Sequence, residues 1–131
     1  MHTFSLDFID HIAIRVKDLS VSETWYSNVL GLKVEKYPKW GEYPVFMSAG
    51  NFAVALFPAR LEDPNLPFRS KNIKIDHFAF RVDKDNFLAA LAHFKKINLV
   101  YTIQNHYYYE SVYLEDPDGH CVELTRETGK K

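Results

Sequence analysis

Two histidines and a glutamate stand at places in this 131-residue chain where side chains of their types can hold a metal ion. His11 lies in IDHIAIRV (residues 9–16), His77 in IDHFAFRV (residues 75–82) and Glu123 in HCVELT (residues 120–125). In a strand, successive side chains point to opposite faces. That alternation sets Ile12, Ile14 and Val16 against His11, Ala13 and Arg15, and it sets Phe78, Phe80 and Val82 against His77, Ala79 and Arg81. In the third segment Val122 and Leu124 oppose Cys121, Glu123 and Thr125. Both imidazoles and the carboxylate therefore face away from the aliphatic contacts. Such a set binds a divalent first-row metal on one face of an octahedron and leaves the other positions open for substrate, water or dioxygen. A single strand histidine is more often a hydrogen-bonded structural residue. The case for metal rests on the same placement in two copies, with a carboxylate on the matching face of a third strand. His2, His93 and His120 lack that pattern and are expected to be solvated or to cap.

The elements that position these residues also repeat, sixty-six residues apart. After IDHIAIRV, Ser20 and Glu23 have capping-box spacing, Val21, Trp25, Val29 and Leu30 form a helical stripe, and Gly31 suits a left-handed helix end. After IDHFAFRV, Asp83 or Asp85 can cap, Phe87, Leu88, Leu91 and Phe94 form the stripe, and Asn98 can terminate it. Three short strand-like runs follow each helix: LKVEKY, YPVFMSA and FAVALF, then LVYTI, SVYLE and HCVELT. The expected fold is α+β, with two βαβββ modules forming a curled mixed-sheet cup and helices outside. The modules span residues 1–58 and 73–126 of a single domain, 1–131, and are joined by a polar, proline-containing linker at 59–72.

Composition narrows the function classes. Charged residues make up 25% of the chain and sum to −1, with no basic run longer than two, so neither nucleic acid nor an anionic membrane is an expected partner. The longest apolar run, FAVALF, is far short of the roughly 20 residues that span a bilayer. Cys121 is the single cysteine, and MHTFSLDF lacks a basic segment followed by an apolar core, so a cytoplasmic location is expected. Ala13, Ala53, Ala55, Ala79 and Phe57 would give the cup an apolar lining, with Trp40, Phe46, Tyr107 and Tyr109 placed to close it, which suits a small aromatic or hydrophobic substrate. Tyr113 shares a face with Ser111 and Glu115. It can exchange a hydrogen bond or a proton with bound substrate, or it can brace the sheet. His106 can serve as a further acid or base or as a loop cap. Arg15 and Arg81 lie four residues beyond each histidine, at the rim, where one can meet a substrate carboxylate.

DHIAIRV followed by DLSVSETWYSNVLGLKVE resembles the opening module of the vicinal oxygen chelate superfamily, and SVYLEDPDGHCVELT resembles its closing strand pair. That superfamily includes glyoxalase I, extradiol ring-cleaving dioxygenases, fosfomycin-resistance enzymes and bleomycin-binding proteins. The resemblance implies a metal-dependent enzyme acting on a substrate chelated through adjacent oxygens, commonly as a homodimer. His11, His77 and Glu123 fall on its ligand positions for one divalent ion, Fe(II) ahead of Mn(II), Ni(II) or Zn(II). Ala55 matches the place of a metal-binding, proton-moving glutamate of glyoxalase I, which argues against glyoxalase chemistry. HYYYESVYLEDPDGHCVE (residues 106–123) resembles the extradiol dioxygenase signature, with Gln104 as its one departure. Extradiol-type dioxygenation is therefore the leading expectation, with Tyr113 and His106 as catalytic residues. Ser111 and Tyr113 also resemble substrate-contacting positions of fosfomycin-resistance enzymes, and Ser111, Arg15, Arg81, Phe57 and Tyr109 are the expected substrate contacts. A glyoxalase-like lyase or isomerase, a thiol transferase of the fosfomycin-resistance kind and a metal-free sequestering protein remain the alternatives.

Overall fold

The computed structural model describes residues 3–60, 62 and 75–131. The chain divides into two compact units, Met1–Asp63 and Pro64–Lys131, and each carries one βαβββ module. Most of the expected linker at 59–72 lies outside the described residues, as do His2 and Lys74.

The first unit runs β1 (His11–Val16), α1 (Leu19–Leu30), β2 (Lys33–Lys36), a 3-10 turn (Pro38–Trp40), β3 (Val45–Ala49) and β4 (Phe52–Pro58). Its sheet order is β1-β4-β3-β2, with β1 parallel to β4 and the other pairs antiparallel. The second unit runs β5 (Phe78–Arg81), α2 (Lys84–Lys96), β6 (Thr102–Asn105), β7 (Tyr109–Glu115) and β8 (Cys121–Glu127). Its order, β5-β8-β7-β6, and its pairing repeat those of the first. The α+β class and both four-stranded mixed sheets match the expectation.

Each helix covers the aliphatic side of its own sheet, and there the core forms. Ile14, Val16, Tyr26, Val29, Val45, Met47, Val54 and Leu56 are buried in the first unit, and Phe87, Phe94, Val112, Leu114, Val122 and Leu124 in the second. The α1 stripe differs from the expected one: Ser22, Tyr26 and Val29 are buried, whereas Val21 is half exposed. The small Ser22 lets the helix lie close to the sheet, and the Tyr26 ring fills the space that Trp25 was expected to take. Leu88 is likewise exposed, and α2 buries Phe87 and Phe94.

The helix ends explain two more differences. Helix α1 starts one residue before Ser20, so Ser20 lies in the first turn and cannot cap. Asp18 does so by accepting from the Val21 N–H at 3.1 Å. Glu23 pairs instead with Lys36, 3.4 Å away. Gly31 ends α1 at φ 69, and Asn98 ends α2 at φ 57. The Leu99 N–H returns to Phe94 O and the Asn98 N–H to Lys95 O, the two bonds of a Schellman turn. That turn holds Leu99, so β6 pairs only from Thr102 onward, three residues later than LVYTI implied. No helix among the described residues is long and apolar enough to cross a membrane.

The capping assignment predicts that Asp18→Ala lowers unfolding stability by about 1 kcal/mol while Ser20→Ala changes it by less than about 0.5 kcal/mol. Urea denaturation of both variants checks this, and equal losses would restore Ser20 as the cap.

Candidate metal and substrate site

Register decides what stands beside each candidate ligand. Across the first sheet one row reads Ala13, Ala55, Phe46, Glu35 on β1, β4, β3 and β2. The equivalent row of the second sheet reads Ala79, Glu123, Tyr113, Thr102 on β5, β8, β7 and β6. Ala55 is thus the structural counterpart of Glu123, and Phe46 is the counterpart of Tyr113.

Both histidines sit where their strands begin, His11 as the first residue of β1 and His77 one residue ahead of β5. Each imidazole bonds through Nδ1 to the carboxylate before it: His11 to Asp10 at 2.7 Å and His77 to Asp76 at 2.8 Å. An ionised carboxylate only accepts, so each Nδ1 carries the proton and each Nε2 of a neutral ring keeps its lone pair. The His77 Nε2 stands 3.3 Å from the Glu123 carboxylate, whose side chain is only 10% exposed. A nitrogen lone pair facing a carboxylate oxygen calls for positive charge between or upon them, either a second ring proton or a metal ion. Two neighbouring ligands each about 2.1 Å from a metal lie about 3 Å apart, so the observed spacing fits shared coordination. Among the described residues no three His, Cys, Asp or Glu side chains gather to hold an ion. The second unit supplies two of the three expected ligands, and His11 belongs to the first.

Tyr113 stands directly across from Glu123. Burial and a hydrogen bond to Glu123 push its phenol up to about 12. His106 Nε2 lies 2.8 Å from the Tyr113 oxygen, and when the phenol gives its proton to Glu123 the imidazole must be the donor. The backbone of His106 also closes the β6–β7 turn, accepting from the Tyr108 N–H and donating to Tyr109 O. His106 therefore closes this turn through its backbone while its ring contacts Tyr113.

Other expected contacts are placed differently. Ser111 is fully buried, and its hydroxyl bonds to Thr125 at 2.9 Å. Arg15 donates to Pro58 O and stacks over Phe57 at 5.2 Å. Arg81 pairs with Glu127 at 3.2 Å and stacks over Tyr109 at 5.4 Å. Each guanidinium is held on its own sheet. In the first unit the Phe46 ring lies 5.1 Å from that of His11, and Trp40 and Tyr37 join it at 5.7 Å each. Sequence reasoning missed Asp10 and Asp76; the signal was the Asp-His pair present in both copies.

Comparison with known proteins agrees with this architecture. A family model described as the Glyoxalase/Bleomycin resistance protein/Dioxygenase superfamily matches residues 8–124. The human protein named methylmalonyl-CoA epimerase, mitochondrial, is 31% identical over 97 residues, which cover 71% of this chain and 55% of that protein. The chain therefore spans little more than half the length of that relative. Glutathione transferase FosA of Serratia marcescens is 28% identical over 119 residues, covering 91% of this chain and 80% of that one. The crystal structure of a glyoxalase/dioxygenase from Nostoc punctiforme matches with a TM-score of 0.80 at 22% identity, covering 97% of this chain and 95% of that one.

The environment of Tyr113 sets a pH dependence. Its folded pKa near 12 exceeds the ordinary value near 10, so its contribution to stability is complete below pH 10 and disappears as pH rises through 12. In chelator-treated protein, the stability advantage of wild type over Tyr113→Phe should shrink across that window, measured by urea unfolding at stepped pH. Curves that stay parallel would refute the Glu123–Tyr113 bond.

Proposed function

We propose that this chain, which belongs to the Glyoxalase/Bleomycin resistance protein/Dioxygenase superfamily, is a metal-dependent enzyme for a small substrate presenting two adjacent oxygens, and that its reaction is extradiol-type ring cleavage of a catechol. The observation that carries this reading is Tyr113 standing directly across from Glu123 with the His106 Nε2 2.8 Å from its oxygen. Those three residues, with Asp116, Pro117 and Gly119 between them, are the elements of the extradiol signature in this sequence.

One divalent ion would be held by His77, Glu123 and the His11 of a first module, in the same chain or in the second copy of a homodimer. Two imidazoles and one carboxylate favour Fe(II) over Mn(II), Ni(II) or Zn(II). When bound, the ion supplies Lewis acidity and a template for substrate and dioxygen. The chain's own residues do the rest. Asp10 and Asp76 fix the ring orientation and tautomer that aim each Nε2. Tyr113 keeps its proton at neutral pH and so acts as a donor toward negative charge developing on the substrate. His106 restores that proton from the solvent side, where its ring is exposed. Ala55 supports ring cleavage over epimerase or glyoxalase chemistry, because moving a proton between two faces of a carbon needs a base on each and the first module offers a methyl.

Similarity to the glutathione transferase over 91% of the chain supports a second reading, transfer of a thiol to an activated small molecule. Against it, Arg15 and Arg81, the two expected cationic contacts among the described residues, are each engaged on their own sheet.

Metal analysis of protein purified without chelator should find about one equivalent of iron per site, falling at least about tenfold in His77→Ala. With catechols, oxygen uptake should accompany formation of the coloured ring-opened product, and Tyr113→Phe should lower kcat by about 10²-fold. Less than about a tenth of an equivalent of metal, unchanged by His77→Ala, would sink the metalloenzyme reading. Glutathione consumption without oxygen uptake would transfer the case to the second.

A further inference from the structure

Beside His11 the first unit holds a cavity of about 250 Å³, too small for a whole ligand and sized for one end of it. Small side chains make its floor: Ser48 and Ala53 follow His11 across the sheet, and both line the space. Rings make its walls. Phe46 and Tyr37 line it with centroids 5.7 Å apart and planes at 80°, so they form a corner. Trp40, carried by the 3-10 turn, packs on Tyr37 at 4.5 Å and on Phe46 at 5.7 Å and braces that corner from outside the lining.

Glu35 and Asp10 are the charged residues among the described lining. Bonds from the Ser48 and Tyr37 hydroxyls hold the Glu35 carboxyl below the usual range, so it is ionised at neutral pH. Both donors are neutral groups, which fix the carboxylate and leave its charge in place. Asp10 bonds to the Nδ1 of His11. The Tyr37 phenol registers both acids: its bond to Glu35 pushes it up, with burial and the charges of Glu35 and Asp10 adding to the shift. Lys33 shares a face of β2 with Glu35 but lies outside the lining.

We propose that this cavity binds the alkylated ammonium group of a small molecule. Ring faces attract a cation within about 6 Å of their centroids, and the fixed carboxylate supplies the opposite full charge. Alkyl groups on the nitrogen lie against the rings and remove apolar surface from water. A hard metal ion needs a shell of oxygens, and two of these walls are rings. The binding site stands on this geometry alone, whereas its link to the reaction rests on the metalloenzyme reading above. The Phe46 ring also lies 5.1 Å from that of His11, so an ammonium held here sets the rest of its molecule beside an expected metal ligand. The substrate class thereby gains a cationic end.

Titration of the full chain with choline and with neohexyl alcohol, its uncharged carbon isostere, followed by NMR chemical shifts, tests the site without catechol or turnover. Choline should bind about tenfold more tightly, with its shifts centred on Glu35, Tyr37 and Phe46. Glu35→Gln keeps the shape of the side chain and should bring the two compounds within about twofold of each other. Tyr37→Leu, a change at an exposed position, should weaken choline about fivefold. Potassium chloride at the same concentration as choline should not displace it. Equal binding of choline and its isostere, a preference that survives Glu35→Gln, or displacement by equimolar potassium overturns the inference and leaves the catechol reading standing. Choline binding by protein that takes up no iron overturns that reading and leaves the ammonium site in place.

Discussion

The parallel pairing of the first strand of each module with its last strand is the constraint on which the rest depends. A strand alternates its faces with period two, so a slip of one residue in β5 against β8 would change which residues stand together in every row. With Ala79 opposite Glu123, the carboxylate falls on the side away from α2, next to the position of His77. Val122 and Leu124, its neighbours in sequence, fall on the helix side and are buried there. The same pairing that builds the core therefore delivers the carboxylate to the site. Glu123 is only 8% exposed, and an ionised group so placed is costly unless partners surround it. His77 and Tyr113 are those partners, so the burial of Glu123 and the raised Tyr113 pKa have a common origin.

Two copies of one register have been put to different uses. In the second unit the row beside the parallel pair carries a carboxylate and a phenol; in the first it carries a methyl and a benzyl ring. The first unit also inserts the turn Pro38–Trp40 between β2 and β3, and this brings Trp40 within 4.5 Å of Tyr37 and 5.7 Å of Phe46. Beyond its row, Glu35 bonds to Ser48 and Tyr37, which hold it below the usual carboxylate range and direct it to its own sheet. Polar chemistry is concentrated in one module and ring surface in the other, with one histidine retained in each.

What the sequence made legible follows from how local the determinants are. The two modules, their strand order and the face of each ligand depend on alternation and on a repeat, both written into residues a few positions apart. The first cap was misread because Asp18 and Ser20 are both competent caps, and the choice depends on where α1 meets the sheet. Phase in α1 was misread for a similar reason: the sequence ranks Trp25 above Tyr26 in apolar character, but packing against β3 and β4 selects Tyr26. The start of β6 was obscured by Asn98, whose left-handed backbone commits Leu99 to the helix end. Alternation reveals the face of Ser111 but not that its side chain is fully buried.

The Asp-His pairs show why the histidines stand at strand entrances. Within a regular strand, residues i and i+1 point to opposite faces, and a carboxylate at i cannot reach the ring at i+1. Asp10 precedes β1 and Asp76 precedes β5 by two residues, so both lie where the backbone has not yet settled into the pleat. Only there can the preceding carboxylate curl onto Nδ1. A histidine placed two residues deeper, at Ala13 or Ala79, would keep the correct face but lose its orienting partner and the fixed tautomer that depends on it. The entrance position also leaves each ring partly exposed, 41% for His11 and 37% for His77, so that an Nε2 held in one orientation remains within reach of solvent.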